Sequence, residues 1–184
     1  MIIPTEIIED VLRPYNCKVL KSANLEYPFV RGRFLIGPTY YHIPPFEHAT
    51  DIDIQLCLNQ LAYAGVAEAI RRKIIPELDG LNFDELRTEN MLIIESRKRF
   101  KRSIRTDVEI GGEIKIARWK EFRGLLLANG DFQFENRSCF GELELAIVKS
   151  GALTWYKITL NWHLEAWKRE NCEAVWLFLE CSLQ

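Results

Sequence analysis

The chain has 184 residues, enough for one domain with a substantial core, and 48% hydrophobic and 27% charged residues mark an ordinary globular protein rather than a disordered one. A formal net charge of −2 gives no global reason to expect nucleic acid, so electrostatic partners must be sought in local clusters. Five scattered cysteines (Cys17, Cys57, Cys139, Cys172 and Cys181), never spaced C-x-x-C, speak against a disulfide framework and a zinc site, and fit a reducing cytoplasm. No run of about 18 apolar residues and no leader-like N-terminus are present, so the expectation is a protein neither secreted nor membrane-spanning.

In chain order, Pro4 and Thr5 introduce E-I-I-E-D-V-L-R, where Ile7, Ile8, Val11 and Leu12 form one apolar stripe before Pro14 ends the pattern. This predicts a short amphipathic helix. From Cys17 to Leu35 the reading is extended, a strand pair or meander, with Gly32 as a candidate bulge. The loop G-P-T-Y-Y-H-I-P-P-F-E-H follows, rich in aromatics for a solvated segment. Then comes a long helix with Thr50, Asp51 or Asp53 as N-cap and an apolar girth built on Ile54, Leu58, Leu61, Gly65 and Ala69.

F-D-E-L-R-T-E-N suggests a second short helix, and Met91 to Val148 reads as strand throughout. Within it Asn129-Gly130 is a hairpin signal, although a bulge inside one long strand would use the same dipeptide. A short helix, strands, one long buried helix and then antiparallel strands make an α+β layout, and a single apolar helix wrapped by a curved antiparallel sheet is the hot-dog arrangement. Residues 1–148 are assigned to this domain. Residues 149–184, with four of the five tryptophans, are read as a separate C-terminal extension.

The strings R-P-Y-N-C-K near the start, H-x8-C-L-N-Q-L-A-Y at the central helix, M-L-I-x5-R-F-K after it and G-E-L-E-L-A in the last strand resemble the FcoT-type acyl thioesterases, over roughly residues 8 to 148. The resemblance implies a hot-dog fold and an acyl thioester substrate, on coenzyme A or acyl carrier protein, bound in a tunnel at a homodimer interface. It places the family's site residues on Tyr15, Tyr41, His48, Asn59 and Tyr63, and puts Thr50 where the family's pattern has an Asn. It also carries a second activity, addition of glycine to the β-carbon of a (2E)-enoyl group on acyl carrier protein.

Asn59 and Tyr63, four apart, share one face of the helix. Either alone could be a core polar group bonded to a neighbouring strand, but five polar side chains each needing partners are more simply placed in one pocket. The helix N-terminus suits a thioester oxygen that becomes anionic, Asn59 can donate to it, and the tyrosines can donate or relay protons. A carboxylate is missing at position 59, where dehydratase-like relatives of the fold carry Glu, so the candidate base is His48, or else His42, against the reading of His48 as a loop histidine with no catalytic duty.

Arg97, Lys98, Arg99, Lys101, Arg102 and Arg105 make the dense positive run of the chain. It reads either as a charged strand edge that discourages pairing or as a phosphate clamp, with Arg97, Arg99 and Arg102 binding coenzyme A, pantetheine or an acidic carrier protein. No aromatic companion motif marks it for RNA. The expectation is therefore a cytoplasmic thioesterase on acyl-CoA or acyl carrier protein, with glycine addition and a non-catalytic acyl-binding module as alternatives. No cofactor, metal, nucleic-acid or membrane partner is expected.

Overall fold

The computed structural model describes residues 1–37, 46–86, 91–122 and 125–148. Tyr41, His42 and the extension 149–184 lie outside them. Helix α1, Thr5–Leu12, starts after Pro4, whose fixed φ suits a helix entrance, and buries Ile8, Val11 and Leu12. Strands β1, Leu20–Glu26, and β2, Phe29–Leu35, form an antiparallel hairpin around the cis Tyr27–Pro28 bond.

Gly32 is not a bulge. It pairs regularly with Ala23 on one side and Gly112 on the other, and the slip falls instead in β1, between Leu20 and Ser22. A Cβ at Gly32 would come within 2.9 Å of the Leu20, Phe34 and Leu61 side chains, so glycine is what lets β2 approach the long helix.

That helix, α2, spans Asp51–Arg72 and opens with a capping box: Thr50 accepts from the Asp53 backbone N–H while the Asp53 carboxylate accepts from the Thr50 backbone N–H. It ends at Lys73, which adopts the left-handed conformation and returns its N–H to the carbonyls of Ala69 and Ile70. Ile54, Leu58, Leu61, Ala64 and Ala69 are fully enclosed, whereas Gln55, Leu56, Asn59 and Tyr63 form a half-buried stripe along one side. After the 3-10 turn Pro76–Leu78, α3 (Phe83–Glu85) provides a short helix where the sequence suggests one, and residues 87–90 of that stretch lie outside the described residues.

Strands β3 (Met91–Phe100), β4 (Glu109–Phe122), β5 (Leu125–Phe134) and β6 (Cys139–Val148) complete a six-stranded antiparallel sheet ordered β1-β2-β4-β5-β6-β3. Asn129-Gly130 lies inside β5, so no hairpin forms there. The extra residue sits opposite it on β4, where the register slips between Ile116 and Arg118, and a Cβ on Gly130 would come 2.8 Å from the Lys115 carbonyl oxygen. The buried faces of the strands and the apolar girth of α2 form one core, the hot-dog arrangement expected from the element order.

Candidate functional site

The half-buried stripe of α2 lies alongside β3, the edge strand, and three side-chain links tie the two together in antiparallel order. Lys98 Nζ contacts Asp51 Oδ1 at 3.1 Å, Ser96 Oγ donates to Gln55 Oε1 at 2.8 Å, and the Tyr63 hydroxyl donates to the Met91 carbonyl at 2.6 Å. Asn59 falls between the last two links. By their order, the stretch of β3 across from it is Ile93 to Glu95, where the pairing to β6 slips. A bulge beside a polar side chain is a common way of re-aiming groups at a site.

The orientation of the Asn59 amide follows from the polarity of its neighbours. An ammonium has donors and no acceptor, so in the 3.1 Å contact of Lys98 Nζ with Ser96 Oγ the hydroxyl oxygen accepts. The hydroxyl proton then goes to Gln55 Oε1, which leaves Gln55 Nε2 to donate to Asn59 Oδ1 at 3.1 Å. With its oxygen occupied, Asn59 presents Nδ2, a donor with no hydrogen-bond acceptor among the described residues. The stripe therefore ends in an N–H group directed by a chain of three bonds.

Tyr63, one turn further along the stripe, brings a phenol, and Tyr15 neighbours Tyr63. Burial pushes the Tyr63 hydroxyl above its ordinary pKa, and burial together with the neighbouring Tyr63 pushes Tyr15 further up, so both stay protonated at neutral pH and act as donors. Tyr63 spends its proton on Met91, whereas the Tyr15 hydroxyl has no hydrogen-bond partner among the described residues. The Tyr63 ring also packs edge-on against Phe83, with centroids 6.4 Å apart.

The other expected site residues lie elsewhere. His48 is exposed, stacked near Phe46 and bridged to Arg105, and Asn59 lies nine positions past the N-cap Thr50, about 14 Å along the axis. Within one chain it does not meet the amide. The Thr50 hydroxyl donates to Asp53 Oδ2 at 2.8 Å inside the capping box. The three carboxylates of α2 are all engaged: Asp51 with Lys98, Asp53 with Thr50, and the buried Glu68 with Arg71 and Arg72.

Arg97 and Arg99 alternate with Ser96 and Lys98, so their side chains occupy the face of the sheet turned away from α2. There they border a cleft of about 660 Å³ that also holds Lys115, Arg137, Glu113 and Asp131. Arg97 is paired with Glu95 at 2.7 Å, and Arg102 reaches the Asn136 carbonyl. On the helix side an apolar crevice of about 20 Å³ runs between Ala62, Gly65 and Val66 of α2 and Ile114, Ala128 and Leu145 of the sheet. Tyr41 lies outside the described residues.

Sequence reasoning missed Gln55, Ser96 and Lys98. The signal was available: Gln55 precedes Asn59 by four, and strand alternation puts positions 96 and 98 on one face. Among the described residues no group of three or more His, Cys, Asp or Glu could hold a metal ion, and no helix is long and apolar enough to cross a membrane.

A hot-dog protein with a hydrogen-bond donor directed from its central helix defines the class. The FcoT-like thioesterase domain matches residues 10–147, and the chain belongs to that family. Among curated proteins it resembles the (2E)-enoyl-[ACP] glycyltransferase of Mycobacterium bovis, 31% identical over 112 residues covering 55% of this chain and 61% of that protein. The enzyme of the same name from Mycobacterium marinum is 30% identical over 112 residues, 55% of this chain and 60% of that one. The chain thus spans about three fifths of the length of these relatives. Among solved structures, a putative thioesterase related to phenylacetic acid degradation from Ralstonia eutropha aligns with a TM-score of 0.47 and 10% identity, covering 77% of this chain and 99% of that one.

Proposed function

We propose that this protein is an enzyme acting on an acyl thioester, and that its reaction is addition of the glycine amine to the β-carbon of a (2E)-enoyl group carried on acyl carrier protein. The observation that carries this reading is the donor-only character of the site. Asn59 Nδ2 and the Tyr15 hydroxyl are available to a carbonyl oxygen, while every carboxylate on α2 is engaged and His48 stands apart. Attack of the amine on the β-carbon moves the double-bond electrons onto the thioester oxygen, and donors placed there stabilise the enolate. The nitrogen then loses a proton and the α-carbon gains one, with no water to activate and no thioester bond broken. The name of the mycobacterial relatives supports the same substrate pair.

Hydrolysis is the second reading, favoured by the family match. It needs an activated water, and the described part of one chain offers no free base for it beside Asn59. The two are separated by incubating the protein with enoyl carrier protein and glycine, then measuring free thiol and the mass of the carrier. A glycine adduct without thiol is the expected result, thiol without adduct would return the assignment to hydrolysis, and neither product would leave a binding module. Asn59→Ala should lower adduct formation by about 100-fold, the scale of losing one oxyanion donor. Asn59→Asp should suppress addition and raise hydrolysis, because it supplies the missing carboxylate.

A further inference from the structure

We propose that Lys98 is a positioning residue for Asn59, acting through Ser96 and Gln55 to hold the amide with its N–H groups toward the substrate. The inference rests on the reading of Asn59 as the carbonyl donor. An Asn side chain is symmetric enough in shape that either end can face a pocket, and only its hydrogen-bond partners decide which does. Here the decision originates at an ammonium. Lys98 can only donate, and it does so to Ser96 Oγ at 3.1 Å; Ser96 donates to Gln55 Oε1 at 2.8 Å; and Gln55 Nε2 donates to Asn59 Oδ1 at 3.1 Å. The Lys98 charge repels the Ser96 hydroxyl proton and so favours its pointing at Gln55 Oε1, which in turn favours Gln55 Nε2 facing Asn59 Oδ1; a charge at one end of the chain thereby biases the polarity of the amide at the other.

The setting strengthens the effect. The Lys98 side chain is only 9% exposed, and its counter-ion Asp51 lies at 3.1 Å at the entrance of α2. Ser96, Gln55 and Asn59 are half-buried, so water does not freely replace the links, and hydrogen bonds in sequence polarise one another. A positive charge behind the chain makes the terminal N–H a better donor to an oxygen that gains negative charge in the reaction. The effect therefore falls on turnover more than on binding of the uncharged ground state.

An inward-pointing lysine on an edge strand has another use, keeping that edge from pairing with other chains. The two roles differ in what they move. If Lys98 only guards the edge, Lys98→Met alters the mass of the particle in solution and leaves kcat alone. If it positions Asn59, Lys98→Met lowers kcat about tenfold or more with KM little changed, and Lys98→Arg, which keeps a donor-only cation, restores most of it.

The decisive variant is Gln55→Glu. A carboxylate in place of the Gln55 amide still accepts from Ser96 but cannot donate to Asn59, so Asn59 turns its N–H groups toward position 55 and its oxygen toward the substrate. Adduct formation by Gln55→Glu should fall nearly to that of Asn59→Ala, with its thermal melt retained. In a double-mutant cycle, adding Lys98→Met to Asn59→Ala should change turnover less than about twofold, because the lysine acts only through the amide. A Gln55→Glu enzyme as active as wild type, or Lys98→Met multiplying the Asn59→Ala defect in full, would overturn the relay alone. Wild-type adduct formation and hydrolysis by Asn59→Ala would instead overturn the site on which the relay rests.

Discussion

Asn59 and Gln60 are adjacent amides with opposite duties, and their partners show why. Gln60 is fully enclosed: its Oε1 accepts from the backbone N–H groups of Val19 and Leu20 at 3.0 Å each, and its Nε2 donates to the Cys17 carbonyl at 2.7 Å. It fastens the segment between α1 and β1 to the central helix and, fully enclosed, presents nothing to a ligand. Gln60→Leu leaves three backbone groups unpaired, at about 1–3 kcal/mol each where water cannot reach them, so denaturant melts should show a loss of at least about 3 kcal/mol. A loss under about 1 kcal/mol would mean that water or a shifted backbone takes its place. Cys139 makes a second prediction at this scale. Burial, opposed by Lys98 and assisted by Asp51, pushes its thiol up to about 11 from 9.0. Between these values the unfolded chain has lost the thiol proton and the folded one retains it, so this contribution is whole below pH 9 and fades as pH rises toward 11. The stability lost in Cys139→Ala should be larger at pH 8 than at pH 11; an equal loss at both would refute the assignment.

Among the elements, α1, the β1–β2 hairpin, α2 and the late strands could all be read from the sequence, because each carries a clear period: Ile8, Val11 and Leu12 at helical spacing, or Ile110, Gly112 and Ile114 alternating inward along β4. What could not be read are features fixed by contacts distant in sequence. Gly32 and Gly130 carry the same local signal, yet one admits α2 and the other faces a slip in β4. The choice among Thr50, Asp51 and Asp53 as cap required the capping box, in which two of the three act together. The site divides in the same way. Tyr15 was named by its string alone, whereas Asn59 and Tyr63 were legible as one helix face. The Lys98–Ser96–Gln55 chain was not, because it needs a bulged edge strand brought against that face, and Lys98 was hidden in a run of exposed cations. His48, the candidate base, proves to be exposed and far along the helix axis from the amide it was expected to serve.

The whole molecule offers His48 one way back to the site. β3 pairs with β6 on one side only, and Leu92, Ile94 and Phe100 on that strand are each more than 40% exposed, with Ile52 of α2 at 51%. A long edge with exposed apolar side chains is a template for another chain. We expect a second copy there. Twofold symmetry would set the two β3 strands antiparallel and the two α2 helices likewise, so the entrance of one helix lies toward the far end of the other. We predict that in that arrangement the partner subunit's His48 lies near the half-buried stripe of Asn59 and Tyr63, where its imidazole would take the proton that the attacking amine nitrogen loses. Complementation tests this. Asn59→Ala and His48→Ala proteins, each impaired alone, are unfolded, mixed in equal amounts and refolded. If the site is shared, half of the dimers are mixed, and each of those holds one site with both native residues, so about a quarter of wild-type turnover returns. If both residues serve the same protomer's site, every site in the mixed dimers is damaged and nothing returns. His48→Ala with full activity by itself would remove the histidine from the reaction altogether, leaving the amide and the phenols to carry it.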